Sequence, residues 1–234
     1  MKLLAVIPVY NEEQSIKKVI DDLCEHAPDI DIMIVNDGST DNSATVIKDD
    51  KRVVMIDMPF NVGLSYAVQA GLLYAAKYDY DYAFQFDGDG QHRAEYIKNL
   101  VAEGQKGNDI VIGSRYYTQK RPRSLRMTGS VLIGAAIRLT SGLKLTDPTS
   151  GLRLYNKKLL CEFAGNINYE PEPDTIAYLA GRGVKISEIQ VSMNEREFGV
   201  SYFTFAKSIW YMLRMCFSIL VVQWFRKRET DEWV

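Results

Sequence analysis

The chain has 234 residues, 47% of them hydrophobic and 25% charged, a balance that supports a buried core of domain size. Twenty-eight Lys and Arg against thirty Asp and Glu give a formal charge of −2, so nothing global argues for a nucleic-acid partner, none is expected, and any electrostatic function must be local. Cys24, Cys161 and Cys216 lie far apart with no CxxC spacing, so a disulfide framework is excluded and three buried thiols in a reducing compartment are expected.

The N-terminal MKLLAVIPVYNEE has a short apolar run followed by Pro8, Asn11, Glu12 and Glu13 instead of a cleavage site, and reads as a first strand, not a signal peptide. Asn11 is expected to cap the next helix with Gln14 three residues on, and Ile16, Val19, Ile20 and Leu23 repeat at helical spacing. A strand at 30–35 enters the turn NDGSTDNS. Further strands at 53–58, 82–86 and 109–114 alternate with helices at about 64–78 and through AEYIKNLVAEG. This alternation predicts an α/β domain, a Rossmann-like, mostly parallel sheet flanked by helices. Tyr78, Tyr80 and Tyr82 read as core or rim packing at a strand edge.

From about residue 115 the character changes to a basic, mobile loop carrying Arg115, Lys120, Arg121, Arg123 and Arg126. An apolar helix at 131–145 follows, then DPTSGLRLYN and YEPEPDT, both read as loops. A late strand at 184–193 and a long helix at 202–226 complete the chain.

The polar motifs PVYNEE, NDGSTD and DGDGQH each follow a strand, so they collect at the carboxyl edge of the sheet, where open α/β sheets bind ligands. The first turn contains neither GxGxxG nor GxxxxGK[ST], and its acids would repel a bare pyrophosphate, so a dehydrogenase or P-loop reading is not supported. In QFDGDGQH, strand alternation would aim Asp87 and Asp89 to one side, with Gly88 leaving room for close approach. Two hard oxygen donors suit Mg²⁺ or Mn²⁺, an ion that draws the rest of its shell from water and substrate phosphates and relieves the repulsion between the carboxylates. Gln91 and His92 are candidate further ligands or supporting groups, and a plain surface turn is the competing reading of DGDG.

IPVYNEE, VNDGSTD, NVGLSYAVQAG, FDGDGQH, IGSRY and DPTSGLRLYN, in this order and spacing, resemble the family 2 inverting glycosyltransferases of GT-A fold. Within that family the likeness is to the dolichyl-phosphate mannose synthase and undecaprenyl-phosphate hexosyltransferase branch, over about residues 2–205. The resemblance implies that Pro8, Tyr10 and Glu12 line a nucleotide pocket and that Asp37 contacts base or ribose. It implies a metal and diphosphate motif at Asp87, Asp89 and Gln91, and phosphate-contacting arginines at Arg115 and Arg126, the latter four residues before Ser130. It also implies a late loop of Arg196, Gly199 and Ser201 closing over the diphosphate, with Tyr202 where a lysine is common.

On this reading the metal and arginines stabilise the departing nucleoside diphosphate. A saccharide hydroxyl acceptor would need a carboxylate base, for which Asp147, Glu170, Glu172 and Asp174 are candidates; a phosphate acceptor is already anionic and needs only cations. The arginine-dense segment from Arg115 to Arg126 favours the phosphate. The expectation is hexose transfer from a nucleotide sugar, with UDP-glucose preferred, to undecaprenyl or another polyprenyl phosphate for cell-surface polysaccharide synthesis. A saccharide acceptor and a GDP-mannose donor are the alternatives. Residues 1–205 would be the catalytic domain and 206–234 an appended helix. The run at 209–225 is at the lower edge of a membrane span and contains Arg214 and Gln223, so crossing is not expected. Lys207, Tyr211, Arg214 and Ser218 form a polar stripe and RKR follows at 226–228, which suits a peripheral helix on the cytoplasmic membrane face; packing against a second subunit is the competing reading.

Overall fold

The computed structural model describes residues 1–122, 125–166, 169–195 and 205–225. One seven-stranded sheet spans the molecule in the order β3-β2-β1-β4-β6-β5-β7. The strands are β1 (Leu3–Val9), β2 (Asp31–Asn36), β3 (Val53–Asp57), β4 (Tyr82–Gln85), β5 (Ile110–Ser114), β6 (Arg153–Asn156) and β7 (Ile186–Gln190). All pairings are parallel except those of β6, which runs antiparallel to both β4 and β5. The expected α/β architecture with a mostly parallel sheet is therefore the one found.

Residues of β1 alternate between two cores. Leu3, Ala5, Ile7 and Val9 face α1 (Ile16–His26), α2 (Ser43–Lys48) and α4 (Ile97–Gly104). Leu4 and Val6 face α3 (Leu64–Lys77), α5 (Leu125–Ser141), α6 (Lys157–Gly165), α7 (Pro173–Gly181) and α8 (Phe205–Leu220). Burial on both faces explains why β1 is apolar throughout rather than alternating.

Four expectations change. DPTSGLRLYN is not all loop: its last four residues form β6 in the middle of the sheet, and the charge of Arg153 interrupts the apolar pattern that would have marked a strand. Asn156 then caps α6, a helix also missed, by accepting from the Leu159 N–H at 3.0 Å. Asn11 does not cap α1, which begins after Ser15; it adopts φ 57° and accepts from the Thr40 N–H at 2.8 Å, tying the first loop to the second. The thiols are free but not buried: Cys161 is exposed on α6, and Cys24 and Cys216 are partly covered.

Helix α3 lies close enough to the sheet that a Cβ on Gly71 would sit 2.2 Å from Val6 Cγ1, a side chain with no exposure. Gly71→Ala is expected to lower unfolding stability by about 1–3 kcal/mol through overpacking, measured by urea denaturation.

Candidate active site

The loops after β1, β2 and β4 are knitted together at the sheet's carboxyl edge. Ser15 Oγ donates to the Gly88 carbonyl at 2.8 Å, and the Glu12 N–H donates to Ser43 Oγ at 2.8 Å. Pro8 is buried in β1, whereas Tyr10 is 40% exposed beside it. Asp37 is buried, and its two carboxylate oxygens accept from the Val62 N–H at 2.7 Å and the Gly63 N–H at 2.9 Å, fixing the entrance to α3. Pro8, Tyr10, Glu12 and Asp37 thus share one edge but do not line the main cavity.

That cavity, of about 600 Å³, lies at the end of the sheet on the side covered by α3, α5 and α8. Its polar floor includes Gln85, Asp87, Gln91, His92, Arg115 and Arg153. Its apolar wall includes Leu64, Val68, Leu132 and Ile133, with Ile209 and Met212 contributed by α8.

Strand alternation does not govern the two acids of DGDG, because β4 ends at Gln85 and residues 88–90 turn, with Gly90 at φ 77°. Asp87 faces the main cavity; Asp89 lines a neighbouring cleft with Ser15, Asp22 and Arg93, and its Oδ1 accepts from the Gln91 N–H at 3.0 Å. Asp87 Oδ1 accepts from Gln85 Nε2 at 2.8 Å. The Asp87 N–H donates to His92 Nδ1 at 3.0 Å, so in the neutral ring the proton resides on Nε2, which lies 3.5 Å from Asp87 Oδ2. His92 is buried edge-on to Phe86 and orients Asp87 rather than facing solvent.

Among the described residues no three His, Cys, Asp or Glu side chains converge as a complete metal cage. A cavity-facing carboxylate with Gln91 beside it nevertheless fits a hard divalent cation that takes most of its shell from water and a bound diphosphate.

Arg115 is held from below. Its Nε and Nη2 donate to the Asp147 carboxylate at 2.7 and 2.9 Å, and Asp147 has no exposure. The Glu188 carboxylate in turn accepts from the Asp147 and Thr146 N–H groups at 2.9 and 2.7 Å. Burial works against the Arg115 charge, but the Asp147 hydrogen bonds and charge outweigh it and raise its pKa. The segment after Arg115 is pinned too: the Thr118 N–H donates to Gln190 at 2.7 Å, and Arg121 donates to the Thr146 carbonyl. Arg196, Gly199, Ser201 and Tyr202, the Arg126 side chain and the RKR run at 226–228 lie outside the described residues.

The candidate bases are all engaged. Asp147 is committed to Arg115, and Asp174 accepts from the Thr175 N–H at 2.9 Å and Ser218 Oγ at 2.6 Å. Glu170 lies 3.8 Å from Arg214. Glu172, the one of the four on the cavity wall, accepts from Ser65 Oγ at 2.5 Å and the Tyr211 hydroxyl at 2.6 Å. These contacts orient α8: Tyr211 and Ser218 turn toward the protein, Arg214 stays exposed near Glu170, and Trp210, Leu213 and Phe217 are exposed. Lys207 of the same stripe has a side chain outside the description.

Sequence reasoning missed Arg153 and Gly151, although both stand in DPTSGLRLYN. A Cβ on Gly151 would lie 2.9 Å from both Asp87 Oδ2 and Gln85 Nε2, so glycine is needed for that loop to lie on the acid. Gly151→Ala is expected to reduce turnover by about 10²-fold by displacing Asp87, with a shift of about 4 °C or less in the thermal midpoint.

The sequence pattern of glycosyl transferase family 2 matches residues 4–163. The chain is 30% identical over 221 residues to the undecaprenyl-phosphate 4-deoxy-4-formamido-L-arabinose transferase of Proteus mirabilis; the match covers 89% of this chain and 64% of that protein. It is 30% identical over 216 residues to the undecaprenyl-phosphate mannosyltransferase of Micrococcus luteus, covering 86% of this chain and 87% of the relative. In structure it resembles a mannosyltransferase from Pyrobaculum calidifontis in complex with GDP-Man and Mn²⁺, with a TM-score of 0.67, 17% identity, and coverage of 97% of this chain and 65% of that one. Motif order, sheet topology and these matches agree: the chain belongs to glycosyl transferase family 2, with the GT-A fold.

Proposed function

We propose that the protein transfers a hexose, with inversion, from a nucleotide sugar to a polyprenyl phosphate lying at a membrane surface. The observation that carries this reading is the composition of the main cavity. Asp87, Arg115 and Arg153 make a charged floor, while Leu132 and Ile209 line the wall and are 47% and 41% exposed. A ligand with an anionic head and an apolar tail matches that gradient from floor to rim.

The engaged acids favour a phosphate over a saccharide acceptor. Asp147, Glu172 and Asp174 spend their oxygens on Arg115, Tyr211, Ser218 and other protein donors. A hydroxyl acceptor needs a base to take its proton, whereas a phosphate monoester, with a second pKa of about 6, arrives as an anion. The relatives named as undecaprenyl-phosphate transferases support the same acceptor class.

Asp87 and Gln91, with Asp89 on the same turn, would hold Mg²⁺ or Mn²⁺; when bound, the ion supplies positive charge to the leaving diphosphate. Arg115, fixed by Asp147, presents a cation to phosphate oxygens without having to reorganise. We assign Arg126, Arg196 and Ser201 to the same phosphates, and Pro8, Tyr10, Glu12 and Asp37 to the nucleotide side. UDP-glucose is the donor favoured here, and GDP-mannose is the alternative, the mannosyl relative supporting mannose as the sugar.

The exposed face of α5 and α8, which includes Leu139, Trp210, Leu213, Phe217 and, in the following turn, Phe225, is assigned to the lipid surface on the cytoplasmic side. No helix among the described residues is long and apolar enough to cross a membrane. The catalytic unit is residues 1–205, and 206–234 supply its lipid-facing helix.

With radiolabelled donor and Mn²⁺, label is expected in the organic phase as a polyprenyl-linked product, and Asp87→Ala should reduce that transfer by at least about 10³-fold. Water-soluble product alone would point to the saccharide acceptor. The double variant Trp210→Ser and Phe217→Ser is expected to abolish flotation with anionic vesicles while sparing transfer to a short-chain, detergent-free prenyl phosphate. A change of oligomeric state without loss of flotation would instead identify the face as a subunit contact.

A further inference from the structure

Arg153 is 3% exposed, yet it sits beneath a cavity rather than in an ion pair. Among the described residues no carboxylate lies within ion-pair distance of it. Its Nη2 donates to the Pro148 carbonyl at 2.9 Å and its Nη1 to the Pro171 carbonyl at 2.7 Å, while its Nε has no hydrogen-bond partner. Burial opposes the charge, and Tyr155, Glu172 and Tyr211 nearby favour it. A buried cation of this kind is expensive, and an apolar residue in mid-sheet would be at least as stable, so stability alone does not account for it.

The two carbonyls it grips are informative. Pro148 follows Asp147, the carboxylate that aims Arg115. Pro171 precedes Glu172, the carboxylate that receives Tyr211 of α8. A single rigid guanidinium therefore ties the loop that sets the phosphate-facing arginine to the loop that latches the cavity's helical wall. We propose that Arg153 is a positioning residue that makes the placement of Arg115 and the docking of α8 one coupled event. Engagement of α8 then completes the acceptor end of the site, and loss of that engagement loosens Arg115. The acceptor half of this inference rests on the function proposed above; the mechanical half does not.

The chemistry of the tie makes lysine a discriminating substitute. Arg153→Lys keeps the charge but replaces the two-pronged planar donor with a point donor, which cannot hold both carbonyls in the same geometry.

Hydrogen–deuterium exchange of the full chain tests the mechanical half without any substrate. Tyr211→Phe, on α8, should raise amide exchange about tenfold in residues 146–150 as well as in 208–215, with residues 16–26 unchanged. In an Arg153→Lys background, residues 146–150 should already exchange faster and should not respond further to Tyr211→Phe. If Tyr211→Phe loosens α8 alone while Arg153 is intact, the coupling is refuted. Kinetics test the acceptor half: Asp147→Asn and Tyr211→Phe should be non-additive by about fivefold or more in kcat/KM for polyprenyl phosphate, and additive once Arg153 is lysine. Additivity in both backgrounds would reduce Arg153 to a structural residue and overturn the proposal. Should exchange show the coupling while no polyprenyl phosphate is glycosylated, the acceptor assignment falls and the tie stands.

Discussion

Strand β6 runs backwards through the middle of an otherwise parallel sheet, and the cavity depends on its register. Arg153 pairs with Gln85 of β4 on one side and Ile112 of β5 on the other. With that pairing, Leu152 and Leu154 enter the core under α1 and α4, while Tyr155 enters the core under α3, α6 and α7. A slip of one residue would exchange the two faces, sending a guanidinium into the α1–α4 core and a leucine to the cavity floor. The antiparallel direction matters equally. It brings residues 147–152 back to the edge where β1, β2 and β4 end, so that Gly151 lies against Asp87 and Asp147 lies under Arg115.

The same strand marks the limit of what could be read from the chain. Runs such as LLAVI and IDIMIV are legible because a strand buried on both faces excludes polar residues, and their polar successors collect at one edge by topology alone. β6 is four residues long and carries an arginine, so neither length nor hydrophobicity distinguishes it from a loop. The strand-alternation argument that aimed Asp87 and Asp89 to one side failed for a related reason. Period-two alternation holds only while the strand lasts, and β4 stops two residues before the first acid. Asn11 has the right residue type for a helix cap, but its positive φ and its bonds to the second loop are tertiary facts, invisible to local pattern.

Helix α8 was legible as amphipathic, but its orientation on the protein was not. A polar stripe at helical spacing suits a helix at a lipid interface, but periodicity alone does not say which side meets the protein. The acids of YEPEPDT decide it: Glu172 and Asp174 accept from Tyr211 and Ser218, and the residues away from them are outward, with Trp210 70% and Phe225 83% exposed. A seat of hydrogen bonds is a weaker and more specific attachment than an apolar interface, because each donor must meet its acceptor and each can exchange with water. These bonds fix the register of a helix that also buries Met215 and Ile219 in the core, while Trp210, Leu213 and Phe217 stay outward.

This division of labour explains why the cavity can be charged at its floor and apolar at its rim without conflict. The floor charges are compensated from behind the cavity: Asp147 meets Arg115, Glu188 braces Asp147 through its N–H, and backbone carbonyls take up Arg153. None of those partners has to come from the side where ligand enters. The rim is then free to be apolar, and the exposed Leu132 and Ile209 line it. A site whose own charges were paired across the opening would have to break those pairs to admit a phosphate. Here the pairing lies beneath the opening, so an anionic head can approach Arg115 while the remainder of the ligand stays in contact with hydrocarbon.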